Sequence, residues 1–132
     1  MMQHIKIILG NKIILSVAIL YSIAITILFF IPTDGLPSVG GSGIDKVVHI
    51  LFFFFLVILW QLVVFKYKGD VLSRRIIFWI LGLALAYGIL VEVIQGELTA
   101  SRTADPYDVI ADLAGAFLGV WAFSKMKTLF KT

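Results

Sequence analysis

His49 and a set of acids carry the chemistry open to this 132-residue chain. His49 follows Asp45 by four residues, Gln95 follows Glu92 by three, and Asp105, Asp108 and Asp112 step by three and then four. Residues at these spacings share one face of a helix, so each set can present a polar face to a neighbour. His49 is suited to act as general base or nucleophile, with Glu92 or Asp108 as the acid or the orienting group. Asp45, Lys46, Gln95, Arg102, Asp105 and Asp112 would then contact a substrate or ligand. The planar fork of Arg102 matches a phosphate or carboxylate and can stabilise developing charge. His49 with Glu92, Asp108 and Asp112 also forms a donor set for a divalent cation, although the spacing is no diagnostic metal motif. The chain has no Cys, which removes disulfides, thiolate ligands and cysteine nucleophiles. It also lacks a nucleophilic serine motif and a Gly-rich phosphate loop.

The elements that must position these residues are long and apolar. Hydrophobic residues make up 61% of the sequence, charged residues 14%, and mean hydropathy is +1.05. A soluble domain has about a quarter of its residues charged, so this composition predicts bilayer spans. Four are expected, over residues 13–31, 47–65, 76–98 and 106–123, giving an all-α polytopic membrane protein built as one four-transmembrane-helix bundle. The first run is too long for a signal-peptide core, and Pro32-Thr33-Asp34-Gly35-Leu36-Pro37 offers no small-residue cleavage site, so it is expected to be retained. The fourth is the weakest, with only Leu113–Phe123 free of charge. The basic residues Lys125, Lys127 and Lys131 after it favour a full span.

Charge sorting predicts the direction of these spans. Nine of the eleven Lys and Arg (Lys6, Lys12, Lys66, Lys68, Arg74, Arg75, Lys125, Lys127 and Lys131) lie in the two tails and the middle loop. The positive-inside rule then predicts both termini in the cytoplasm. This placement explains the net charge of +3 without a nucleic-acid partner. At a rise of 1.5 Å per residue, His49 lies ~6 Å below Asp45 and Asp112 ~10 Å below Asp105, while Glu92 stands ~26 Å from Arg75. His49, Glu92, Asp108 and Asp112 are therefore expected in one layer just beneath the outer surface, forming a polar pocket that opens outward.

Structural roles compete for each residue. Asp45 fits the N-cap of the second helix. Asp105-Pro106-Tyr107-Asp108 reads as N-cap, N1 and an N3 acid near the positive end of the helix dipole. Neither role reaches Asp112, His49 or Glu92, whose structural alternative is an interhelical hydrogen bond or ion pair. Lys46 and Arg102 can pair with nearby carboxylates or snorkel to headgroups. Ala111, Gly115 and Gly119 form a small-residue stripe that admits another helix closely, in this chain or in a homo-oligomer, and Gly82, Ala86 and Gly88 offer a second. The run Phe52-Phe53-Phe54-Phe55 suits lipid contact and core filling, and Tyr67, Trp79 and Trp121 suit an interfacial aromatic belt.

Asp45-Lys46-Val47-Val48-His49, Tyr87-Gly88 with Glu92 and Gln95, Arg102-Thr103-Ala104-Asp105-Pro106-Tyr107-Asp108 and Gly115-Ala116-Phe117-Leu118-Gly119 together resemble the VanZ-like family. The order and approximate spacing match over residues 10–125. Asp112 departs from the pattern, in which Asn is usual. The resemblance implies a small protein of the bacterial cytoplasmic (inner) membrane, in a family whose founding member is associated with low-level resistance to the glycopeptide antibiotic teicoplanin. Three functions are open. The first is recognition of a lipid headgroup, lipid-linked cell-wall precursor or lipoglycopeptide outside the cytoplasm, among membrane lipids as general partners. The second is an enzyme acting on a lipid-linked phosphate substrate, with His49 and Glu92 as acid and base. Proton or ion transport ranks third, because four short helices make a thin pathway.

Overall fold

The computed structural model describes residues 2–31, 41–69, 71–98 and 106–130. Among them are four α-helices and no strand: α1 (Met2–Phe30), α2 (Gly41–Tyr67), α3 (Arg74–Leu98) and α4 (Pro106–Met126), followed by a short 3-10 turn, Lys127–Phe130. Each α-helix carries a segment long and apolar enough to cross a membrane: Ile8–Phe30, Lys46–Tyr67, Arg74–Glu97 and Pro106–Leu129, the last running on into the 3-10 turn. The last has a mean hydropathy of 1.4 against 2.3 to 2.7 for the others, because Asp108 and Asp112 lie within it.

Two helices begin earlier than their apolar runs. α1 starts at Met2 rather than near residue 13, and α2 at Gly41 rather than residue 47. Once packing has nucleated a helix, each added residue gains a backbone hydrogen bond, so the helix runs on beyond its buried stretch. Asp45 consequently lies inside α2, which corrects its reading as an N-cap. α4 does begin at Pro106, whose missing N–H costs nothing at a first helical position. Arg102, Asp105 and Lys131 lie outside the described residues.

The turn between α2 and α3 is built from local chemistry. The Lys68 amide donates to Val64 O at 2.8 Å, and Gly69 follows at φ +74°, a left-handed conformation that ends a helix at little cost when no Cβ is present. Ser73 then caps α3, its Oγ accepting from the Ile76 amide at 3.2 Å.

The helices alternate in direction. Tyr21 of α1 donates to Phe52 O of α2 at 2.8 Å, and Trp60 Nε1 of α2 donates to Ser22 Oγ of α1 at 3.0 Å. Thr26 and Tyr87 link α1 to α3 through their hydroxyls at 2.5 Å. α2 and α4 run parallel and form the most extensive interface, with His49 near Asp112 at one end and Phe65 edge-on to Phe123 at the other. α1 leans on α2 and α3 on α4.

Glycines make the α2–α4 approach possible. A Cβ at Gly115 would meet the backbone carbonyl of Ile50, and one at Gly119 would stand 2.8 Å from Phe54 O. Ala111, Gly115 and Gly119 are buried, and the two glycines face α2 of their own chain. The proposed stripe on α3 is only partly used. Gly88 is buried against Asp112, whereas Gly82 and Ala86 are exposed, and nothing lies within 4 Å of a Cβ at Gly82. The apolar core comprises Ile25, Phe29, Phe53, Leu56, Val57, Ala84, Val91 and Ala116. Large apolar side chains also cover the outside, among them Leu20, Phe78, Leu83 and Trp121. That surface is unusual for a protein in water and suits a lipid surround. Phe53 of the aromatic run is core, and Phe55 is exposed.

Candidate functional site

The alternating directions bring the C-terminal ends of α1 and α3 together with the N-terminal ends of α2 and α4. A polar cluster forms there. Lys46 and His49 come from α2, Glu92 and Gln95 from α3, and Asp108 and Asp112 from α4. His49, Glu92, Gln95, Asp108 and Asp112 are all buried, and Lys46 stands at the edge with 25% of its side chain exposed. The described residues thus form a packed cluster rather than an open cleft.

His49 is its centre. Its Nδ1 lies 2.7 Å from Asp112 Oδ1, and its ring stacks at a tilt on Phe29, centroids 5.0 Å apart. An ionised carboxylate only accepts hydrogen bonds, so with Asp112 ionised Nδ1 carries the hydrogen. The other ring nitrogen is then turned towards Asp108. Nε2 is 3.6 Å from Asp108 Oδ2, beyond normal hydrogen-bond length. Asp108 divides its oxygens, with Oδ1 ion-paired to Lys46 Nζ and Oδ2 on the His49 side. Pairing with Lys46 and His49, rather than capping alone, accounts for Asp108.

Glu92 joins from α3. One carboxylate oxygen of Glu92, one of Asp108 and a ring nitrogen of His49 lie within 4.8 Å of one another. Among the described residues, these three are the ones placed to hold a metal ion. Asp112 supports His49 from behind, and its own position depends on Gly88, where a Cβ would come 2.8 Å from Asp112 Oδ2. Gln95 ties α3 to the end of α1. Its Nε2 donates to the Phe29 carbonyl at 2.6 Å, satisfying one of the last acceptors of α1. Asp45 lies on α2 one turn before His49, and its backbone alone is described.

Two polar groups outside this cluster carry weight that the sequence reading passes over. Gln61 is fully buried on α2 and donates to both Val57 O and Gly119 O at 3.2 Å. A Gln so far inside an apolar run is itself a signal, because an amide in hydrocarbon needs partners. Tyr87, Thr26, Ser22 and Trp60 form the second group. It borders a cleft of about 350 Å³ between α1, α2 and α3, otherwise lined by apolar residues such as Leu56, Val64 and Ile80.

No family model, no curated protein and no solved structure matches this chain.

Proposed function

We propose that this chain is a VanZ-like integral protein of the bacterial cytoplasmic membrane. On this reading both termini face the cytoplasm, and the polar cluster lies at the outer face. There it recognises a phosphate-bearing lipid headgroup, cell-wall intermediate or lipoglycopeptide. Support for the orientation comes from Lys6, Lys12, Lys66, Lys68, Arg74, Arg75, Lys125 and Lys127, which lie in the N-terminal parts of α1 and α3, the C-terminal ends of α2 and α4 and the turns beside them, away from the cluster. Support for recognition rests on Lys46. It is the partly exposed member of the cluster, and its ammonium is held by Asp108, which is positioned in turn beside His49. Arg102, four residues before α4, supplies a second cation close by in sequence. Together they give an anionic group a charged rim, backed by acceptors and donors for sugar or glycerol hydroxyls.

Two measurements test this. Because the chain has no Cys, single Lys68→Cys and Arg102→Cys variants report orientation through a membrane-impermeant maleimide. The reading expects labelling only at position 102 in intact cells. Retention of phosphatidylglycerol against phosphatidylcholine through delipidation, followed by native mass spectrometry, then tests recognition. Preferential retention that falls in Lys46→Gln and Arg102→Gln supports the proposal, and equal retention of both lipids sinks it. A role in teicoplanin resistance predicts a raised inhibitory concentration when the gene is expressed in a susceptible host.

The His49–Asp112 pair favours a second reading, an enzyme acting on a lipid-linked phosphate. A carboxylate that fixes one ring nitrogen raises the basicity of the other, with Glu92 or Asp108 as its proton partner. Phosphate release from a lipid-linked pyrophosphate, abolished in a folded His49→Ala protein, would establish it.

A further inference from the structure

We infer that His49 Nε2, one oxygen of Glu92 and Asp108 Oδ2 bind a first-row divalent cation of the zinc class, with Asp112 as the outer residue that orients His49. Three observations lead there. The first is spacing. At metal–ligand bonds of about 2.0–2.1 Å, two ligand atoms of a tetrahedral site stand ~3.3–3.5 Å apart. Nε2 and Asp108 Oδ2 are 3.6 Å apart, too long for a hydrogen bond and close to that separation. One donor atom from each of His49, Glu92 and Asp108 falls within 4.8 Å of the others, and the long Glu92 side chain can take up the remaining ångström or so.

The second observation is the support of the histidine. A metal-bound imidazole typically donates its other N–H to a carboxylate, which fixes the tautomer and raises the basicity of the coordinating nitrogen. Asp112 Oδ1 at 2.7 Å from Nδ1 occupies that position, and Gly88 leaves the room for it. Asp108 is held in a similar way. Lys46 takes Oδ1 and leaves Oδ2 facing the ring.

The third is charge. Among the described residues, three buried acids, Glu92, Asp108 and Asp112, stand beside the ammonium of Lys46. Buried carboxylates gathered in this way favour a cation beside them, and a divalent ion supplies it. One nitrogen and two carboxylate oxygens suit zinc, cobalt or manganese better than calcium or magnesium, which prefer sites built from oxygen alone. Three protein ligands leave a fourth position for water or for an anion. The inference stands apart from headgroup recognition, since a chain that binds no metal but retains phosphatidylglycerol would overturn the site alone.

The test uses the full chain in detergent, stripped with EDTA and titrated with Zn²⁺ by calorimetry and with Co²⁺ by visible absorption. One equivalent of Zn²⁺ per chain is expected, together with the intense Co²⁺ bands of a tetrahedral site. Glu92→Gln and Asp108→Asn, which keep side-chain size, should lose saturable binding. Asp112→Asn should weaken it ~10–100-fold, the usual cost of altering an outer partner. His4→Ala, which removes the chain's other histidine, should bind as the unmodified protein does. Absence of saturable Zn²⁺ and Co²⁺ binding in the unmodified chain would overturn the inference. Full binding by a folded His49→Ala or Glu92→Gln protein would overturn it equally.

Discussion

Replacing Gly115 by Ala tests the structure where it is tightest. The added Cβ would fall on the carbonyl of Ile50, 2.9 Å from its carbon and 3.0 Å from the Ile50 Cα, with the oxygen nearer still. Ordinary contact begins at 3.4 Å, so α2 must retreat from α4 by more than half an ångström, and backbone cannot rotate aside as a side chain would. His49 is the residue next to Ile50, so the same retreat stretches its 2.7 Å bond to Asp112 past 3.2 Å, the limit of a good hydrogen bond. Overpacking a well-filled interface costs about 1–3 kcal/mol. The better helix propensity of Ala returns roughly 0.5–1 kcal/mol. A net loss of ~1–2 kcal/mol is expected, read from reversible unfolding in mixed micelles followed by circular dichroism. Gly82→Ala is the matched control. Its site is exposed, with nothing within 4 Å of the new Cβ, so it should be neutral or slightly stabilising. If Gly115→Ala unfolded at the same midpoint as Gly82→Ala, the close crossing of α2 and α4 would be wrong, and with it the placement of His49 beside Asp112.

The remaining expectations use the same unfolding assay. Asp112→Ala leaves the buried Nδ1 of His49 without its acceptor and should cost on the order of 1–3 kcal/mol, whereas Asp112→Asn keeps an acceptor and should cost clearly less. An equal loss in both would show that the bond does not matter. Tyr87→Phe removes the hydroxyl link from α3 to Thr26 of α1 and should cost ~0.5–1.5 kcal/mol, with no such loss in a Thr26→Val background if the two hydroxyls interact as described. Gln61→Met keeps volume while removing two bonds to carbonyls that already serve their helices, so a loss below ~1.5 kcal/mol is expected, and a larger one would mark Gln61 as essential to the crossing.

Much of the architecture was legible in the chain because hydropathy acts through length alone. Four apolar runs of about twenty residues are enough to predict four membrane-length helices, whatever their neighbours. Helix starts were less legible. Pro106 marks the first residue of α4 because a proline ring fits a first turn and little else in a helix. Gly41, by contrast, carries no such mark, and Asp45 reads as a cap although α2 runs through it. Periodicity also placed His49, Glu92, Asp108 and Asp112 at similar depth, since depth along a helix is simply residue number times rise.

What depth cannot supply is azimuth, the direction in which each polar face turns, and only the packed bundle decided it. Contact between α2 and α4 set by Gly115 and Gly119 puts His49 against Asp112 and leaves Asp108 shared between Lys46 and the far side of the same ring. The same geometry sends the Gln95 amide to the Phe29 carbonyl. It also buries Gly88 while leaving Gly82 and Ala86 of the same helix exposed. Composition and spacing thus determined which residues must avoid lipid and how deep they lie. Tertiary structure chose their partners, because pairing among polar groups depends on rotations about helix axes that no linear pattern records.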